Sequence, residues 1–299
     1  MSDEKNITLL GDLSEVAKAL IEKVSDAVGG LCKPFQMKRV AEAEAAVKLI
    51  EAKSEIKIKD LQRRAAQRFI EEETKKQLNI EAITQKALPH LEDTAAPQNM
   101  SDDWITNFFD KSRIVSDTDM QQLWSRVLAG EANSPGKFSK KTVNLLADLD
   151  KSDAEAFTRL CGFGWRIKSF VPLIFKIDDE IYERHGIDFN ILVHLESLGF
   201  IRFERVGFRQ VDLPKNVTVN YYGRPVNIIF HLDEGNELFI GHVRLTRAGE
   251  QLASVCGSGP VEGFIDLVYD RWVDKSLVPK RENVQIASKA ATPESSQMN

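Results

Sequence analysis

The segment of residues 35–88 constrains the fold more than any other part of the chain. It contains neither glycine nor proline and is rich in Ala, Glu, Lys, Gln and Arg, which are good helix formers. Apolar residues recur at every eleventh position: Val47, Ile58, Phe69 and Ile80. Eleven residues make three turns of about 3.67 residues each, so the stripe runs nearly straight along one helix. This pattern predicts a long helix built to lie along another helix.

A second set of residues keeps the same spacing: Ile50, Leu61 and Ile83, with Glu72 in the remaining slot. Two arrangements would cover such a stripe. The helix could be a stalk through which copies of the chain associate, or one arm of a helical hairpin folded on its own domain. The first arrangement leads to our main expectation, a homo-oligomer formed through the long helix.

The same helix carries a basic strip, defined as Lys57, Lys59, Arg63, Arg64 and Arg68. Such a strip could bind phosphates, which makes a nucleic-acid-binding protein one alternative function. Acidic residues lie nearby at helical spacing: Glu55, Asp60, Glu71, Glu72 and Glu73. Because pairs three or four residues apart attract each other on a helix surface, we expect these cations to form a solvated, internally paired face.

Residues 1–34 are predicted to contain an amphipathic helix, with apolar residues at three-four spacing from Leu13 to Leu31. Gly29, Gly30 and Pro34 end it. Its polar face mixes acids with lysines and it has no aromatic anchor, whereas membrane-surface helices usually carry a basic face. We therefore expect it to pack against protein. The weaker alternative is a stress or phage-defence effector that acts at membranes through this helix.

Residues 101–165 are predicted to form a small helical domain after a proline-containing linker. The expected helix starts carry capping residues at Asp102, Ser116, Ser139 and Ser152. Gly130 stands where a helix C-terminus favours glycine.

Three polar residues of the intervening stretch, Arg126, Glu131 and Asn133, have no predicted structural role. We assign them to a solvent face or to loop hydrogen bonds.

The fold class is therefore α+β, with a mainly helical N-terminal two-thirds and an α+β domain over residues 166–278. A helix from Phe189 to Ser197 ends near Gly199 and leads into the alternating residues 200–204. Strand-like runs follow, and Thr246 is positioned to cap a closing helix. This order, a helix with a leucine-glycine step, a hairpin and a threonine-capped helix, resembles winged-helix domains.

The winged-helix resemblance implies a module that contacts nucleic acid or protein. Its candidate contact residues are Asn190, His194, Arg202, Arg205 and Arg209. The predicted recognition helix has no Lys or Arg, and charges across residues 190–250 nearly cancel. Groove-reading proteins bring cations to phosphates, so a protein partner is at least as well supported as DNA. We expect His194 to be half-buried and structural.

The run from Asp103 to Phe157 contains Asp-Trp, Phe-Phe, Val-Ser-Asp, Met-Gln-x-Leu-Trp, Leu-Ala-Gly-Glu and Pro-Gly-x-Phe-Ser in order. This pattern resembles a bacterial family known as domain of unknown function 2806. The similarity extends over most of residues 10–275. It implies a bacterial, intracellular protein, and the family carries no assigned activity or catalytic residues.

Net charge, cysteine spacing and the absence of known motifs disfavour several classes of function. The net charge of −5 disfavours tight, indiscriminate binding to nucleic acid. The cysteines, Cys32, Cys161 and Cys256, form no CxxC pair, so we predict neither a disulfide framework nor a zinc site. Nucleotide-binding, hydrolase and metalloprotease motifs are absent.

The acids Asp179 and Glu183 could share a divalent cation, but acids are common in a helix's first turn. We therefore predict a non-enzymatic cytoplasmic protein without cofactor or metal, and a disordered tail at residues 279–299.

Overall fold

The computed structural model describes residues 13–28, 60–275 and 277. Its helices are α1 (Glu15–Ala27), α2 (Asp60–Ala87), α3 (Asp102–Ser112), α4 (Thr118–Asn133), α5 (Lys140–Ala147), α6 (Lys151–Cys161), α7 (Glu180–Glu183), α8 (Phe189–Ser197), α9 (Arg247–Ala253) and α10 (Phe264–Asp274). Its strands are β1 (Gly164–Arg166), β2 (Phe170–Pro172), β3 (Ile201–Leu213), β4 (Asn216–Tyr221), β5 (Arg224–Ile229) and β6 (Asn236–Leu245). The expected α+β class is confirmed: the N-terminal part is helical, and the strands begin at Gly164.

Helix α1 packs its apolar face against the protein. Ala17, Leu20 and Val24 are buried, and the helix contacts α3 and the short 3-10 helix Pro97–Asn99. Lys23 pairs with Asp102 at 2.5 Å. This face is therefore used inside the fold and is not open to a lipid surface.

Helix caps were predicted with mixed success. Ser139 and Thr246 cap α5 and α9, accepting from the backbone N–H groups of Thr142 and Gly249, as expected. Three assignments were wrong by one or two residues, because a neighbouring residue occupies the N-cap position: Ser101 instead of Asp102, Asp117 instead of Ser116, and Asp150 instead of Ser152.

Gly130 does not end its helix, contrary to the sequence prediction. Helix α4 continues to Asn133, and Gly130 is buried within it. A Cβ atom at Gly130 would lie 2.8 Å from the Phe138 ring. The glycine therefore serves close packing rather than helix termination.

The strands form two sheets. One has the order β2-β1-β4-β5, and the other pairs β3 with β6. The hairpin predicted after Phe200 is thus closed by a strand far along the chain, since β4 and β5 lie between β3 and β6 in sequence and join β1 instead. The two sheets meet where Ile174 bridges Gly241.

A single cluster of buried apolar side chains connects the helical part to the sheets. It extends from Leu20 in α1 to Trp272 in α10. The region predicted as a linker, residues 89–103, takes part in this packing: Pro97 and Met100 are buried, and the Ala96 N–H donates to the Ala132 carbonyl oxygen at 2.9 Å.

Candidate functional site

The first half of α2 is exposed and makes no packing contact with another described helix or strand. From Asp60 to Glu73 every residue except Ile70 is exposed, whereas Ile80 and Ile83 are buried. Helix α2 packs on α4 through its C-terminal half, where Gln121 Nε2 of α4 donates to Asn79 Oδ1 at 3.2 Å. We call residues 60–75 the exposed segment. At a rise of about 1.5 Å per residue it is about 24 Å long.

The apolar stripe predicted from the sequence continues across both halves of α2. Leu61 and Phe69 in the exposed segment are 69% and 64% exposed, whereas Ile80 and Ile83 are 6% and 0% exposed. One face of the helix thus changes from core to open surface along its length. The earlier members of the stripe, at positions 47, 50 and 58, lie outside the described residues.

The basic strip lies in the exposed segment, as far as it is described. Arg63 and Arg64 pair with Asp60 at 2.8 and 3.1 Å, and Arg68 pairs with Glu72 at 3.3 Å. Each arginine therefore has an intrahelical carboxylate partner. Lys57 and Lys59 lie outside the described residues.

Asn190 and His194 lie exposed on α8. The His194 side chain is 48% exposed, about half-buried as expected, and its Nε2 atom lies 2.8 Å from Asp153 Oδ1. Helix α8 is joined to β3 by the Phe203 N–H, which donates to Glu196 Oε1 at 3.0 Å.

Arg202, Arg205 and Arg209 are exposed on β3. Arg209 lies 3.7 Å from Glu237 and near the Phe239 ring. Arg202 lies directly across from Arg244 of β6, which is also exposed. Like charges at opposed positions of an antiparallel pair repel each other. Five of the predicted contact residues thus lie exposed on α8 and β3.

A cavity of about 430 Å³ lies between α4, α6 and the loop after α9. Its wall includes Arg126, Lys151, Arg159 and Cys256. Lys151 pairs with Asp119 on the same wall, which raises the pKa of the Lys151 ammonium. Sequence reasoning missed this site, since its residues are spread over more than a hundred positions and form no local motif.

Glu131 is a buried carboxylate with a structural role. Oε1 accepts from the Gly136 N–H at 2.7 Å, and Oε2 accepts from the Phe138 N–H at 2.8 Å. Burial raises the pKa of Glu131, although the two hydrogen bonds lower it, because the effect of burial is the larger. Asn133 bonds the chain at residues 90 and 92 in a similar way. The predicted loop hydrogen bonds are thus confirmed for these two residues, whereas Arg126 faces the cavity.

Acidic residues do not gather into a metal site within the described ranges 13–28 and 60–275. Asp179, which the sequence offered as a metal ligand together with Glu183, forms an ion pair with Arg271 of α10. The carboxylate is therefore engaged in joining α7 to α10.

None of the helices in the described part of the chain is long and apolar enough to span a bilayer. No curated protein and no solved structure shows significant similarity to the chain. The sequence profile of one family, Protein of unknown function (DUF2806), matches residues 63–269. This match includes all but the first three residues of the exposed segment, the cavity wall and both sheets. It covers well over half of the chain, which therefore belongs to the DUF2806 family.

Proposed function

We propose that this protein acts by binding rather than by catalysis, and that two copies associate through the exposed segment of α2. The observation that supports this most strongly is the exposure of Leu61 and Phe69 on the same stripe that buries Ile80 and Ile83. A helix of about 12–15 residues is marginal in water unless packing covers its apolar face. The exposed segment is of about that size, and no described residue packs over its apolar face.

Local interactions do not replace the missing packing. The intrahelical pairs of this segment are fully solvated, and pairs of this kind contribute about 0.2–0.5 kcal/mol each. A cover over Leu61 and Phe69 would add about 1–2 kcal/mol for each side chain, given the exposed fractions and about 1.5–3 kcal/mol for complete burial.

In one register, an antiparallel pair of exposed segments covers the apolar side chains of both copies. With the two-fold axis between Gln67 and Arg68, Phe69 of each copy lies across from Ala65 and Ala66 of the other. Large side chains then pack over small ones on both sides of the axis, which allows close approach of the helices.

The same register pairs opposite charges. Arg64 lies across from Glu71 of the second copy. At about 100° per residue these two positions lie about 20° apart around the helix and about 60–80° from Leu61, so they lie on one flank of the stripe. In an antiparallel pair the same flanks face each other. In a parallel pair the flank that carries Arg64 and Glu71 would instead face the opposite flank of the second copy, so these two residues would not meet.

Light scattering on the full chain over a concentration series tests the proposal. We expect a dimer that dissociates on dilution and that Phe69→Asp weakens. Leu78→Asp is the matched control, because residue 78 lies nine positions on, half a turn away from the stripe, and is also exposed. A strict monomer at tens of micromolar, or equal weakening by both variants, would reject the proposal; a monomer would point to coverage of the stripe within one chain.

A second function, contact with nucleic acid, is supported by the arginines of the β3–β6 sheet. Arg202 and Arg244 repel each other across the strands, and neither makes an ion pair within residues 13–28 and 60–275. A phosphate between them would relieve this repulsion. We propose the α8–β3–β6–α9 unit, which has the element order of a winged helix, as the contact module.

Salt-sensitive binding of short duplex DNA or RNA, reduced by a combined Arg202→Ala and Arg244→Ala variant, is the expected result of a gel-shift titration. Absence of binding at low salt would reject this second function.

We also place the protein in the cytoplasm. Cys161 and Cys256 are free thiols in the structure, and free thiols persist in a reducing compartment.

A further inference from the structure

Two cysteines that are distant in sequence meet at the cavity wall. Cys161 ends α6, and Cys256 follows α9. The two thiols lie close enough to influence each other's pKa, and the Cys256 thiol donates to the Ala253 carbonyl oxygen at 3.6 Å. This pairing requires the segment around Cys161 to be held against the loop of residues 256–261.

Two tyrosines hold these segments together. The Tyr222 hydroxyl donates to the Cys161 carbonyl oxygen at 2.9 Å and lies 2.7 Å from Ser258 Oγ. The Tyr221 hydroxyl donates to the Gly162 carbonyl oxygen at 2.8 Å and accepts from the Val261 N–H at 2.6 Å.

The backbone conformation at Tyr222 and the close packing near Cys161 also indicate that the two cysteine-bearing segments are held together. Tyr222 adopts a positive φ of 45° in the turn between β4 and β5, a conformation that costs a non-glycine residue energy. The packing around the two cysteine segments is tight, since a Cβ atom at Gly162 would lie 3.1 Å from the Gly259 carbonyl oxygen. The two cysteine segments are therefore held close to each other by packing and hydrogen bonds inside the fold.

The two thiols differ in access. Cys161 is 0% exposed, whereas Cys256 is 8% exposed and lines the cavity of about 430 Å³. A small oxidant entering the cavity would therefore meet Cys256 before Cys161. This asymmetry separates an attacking thiol from a resolving thiol.

The cavity is also suited to a thiolate. Arg126 and Arg159 line it together with Cys256, and neither guanidinium makes an ion pair among the described residues. Gly257 makes room for Arg126, because a Cβ atom there would lie 2.3 Å from Nη1. Cations near a thiol favour its ionised form. The neighbouring Cys161 thiol lowers the pKa of Cys256 to about 7, whereas burial raises the pKa of Cys161.

We propose that Cys256 and Cys161 form a peroxide-oxidisable dithiol, in which Cys256 is the attacking residue and Cys161 the resolving residue. The Cys256 thiolate attacks one oxygen of hydrogen peroxide, the O–O bond breaks, and the hydroxide leaves as water with a proton from solvent. The sulfur atom of Cys161 then attacks the sulfenic acid sulfur, the S–O bond breaks, and a second water leaves with the Cys161 proton. Two thiols lose two electrons, and one peroxide becomes two waters.

The test is peptide mapping by mass spectrometry of the full chain after brief treatment with hydrogen peroxide, without reducing agent. A disulfide between Cys161 and Cys256 within one chain is expected, also in a Cys32→Ser variant, which serves as the matched control. Cys161→Ser should leave a sulfenic acid on Cys256 that dimedone traps, and Cys256→Ser should leave Cys161 unmodified.

Circular dichroism before and after treatment establishes that the folded protein reacted. If folded wild-type protein forms no such disulfide, or if Cys161 reacts without Cys256, the proposal is wrong. It goes beyond the proposed association, and neither result affects the test of the dimer.

Discussion

Replacing Glu131 by alanine should destabilise the fold through two backbone N–H groups. Its carboxylate accepts from Gly136 and Phe138, and Glu131 is only 2% exposed. Gly136 is itself exposed, so water can replace its lost acceptor. The Phe138 N–H is buried and would stay unpaired, which costs about 1–3 kcal/mol. We therefore expect Glu131→Ala to lower the free energy of unfolding by about 1–3 kcal/mol.

The pH dependence gives this prediction a second readout. Burial raises the pKa of Glu131 above 4.5 in the folded state, so the folded protein binds the proton more tightly than the unfolded chain does. The contribution of this proton to stability is present at low pH and is lost as the pH rises through the folded-state pKa. Glu131→Gln has no such proton, so the stability of the wild type relative to this variant should fall over that range.

Urea denaturation of the wild type and both variants, at several pH values, measures these quantities. Stability of Glu131→Ala equal to that of the wild type would refute the assigned role of the two hydrogen bonds. A wild-type stability that rises relative to Glu131→Gln over the same range would contradict the direction of the pKa shift.

Three further predictions concern other parts of the molecule. Arg64→Glu should weaken dimerisation and the added change Glu71→Arg should restore it, as measured by sedimentation equilibrium; failure of the restoration would exclude the antiparallel register. Alkylation of Cys256 by iodoacetamide should increase with pH around a midpoint of about 7, followed by mass spectrometry, whereas a midpoint near 9 would show that its thiol is ordinary. Gly241→Ala should destabilise the fold by more than about 1 kcal/mol, since Gly241 has φ +94° and a Cβ atom would lie 2.2 Å from the Ile174 carbonyl oxygen; unchanged urea denaturation would contradict this close approach.

Some helix bounds and helix caps that depend on residues close together in the sequence were predicted correctly. Helix α8 begins at Phe189 and ends at Ser197 as expected, because Asp188 caps it and leucines follow at helical spacing. The capping role of Thr246 was correct for the same reason. Gly130 was misread because its role is set by Phe138, which returns to pack against it only after the turn.

Features that depend on distant contacts could not be obtained in this way. Strand β3 pairs with β6 across an inserted hairpin, a topology that the alternation of residues does not encode. The meeting of Cys161 and Cys256 depends on two tyrosine hydroxyls on a third element. The eleven-residue stripe did predict an apolar face on α2, but only the structure located where that face stops being buried, between Phe69 and Ile80.

The distance between spin labels on the two copies tests the central claim most directly. A non-cysteine spin-labelled side chain at the position of Leu78 lies opposite the stripe and leaves the contact face intact. In the antiparallel register the two labelled backbone positions are about 32 Å apart along the helix axes, at about 1.5 Å per residue from the two-fold axis, and about 13–15 Å apart across them. Pulsed electron paramagnetic resonance should therefore report a distance near 35 Å. A distance near 15 Å, as in a parallel pair, or no dipolar coupling at all, would contradict the account.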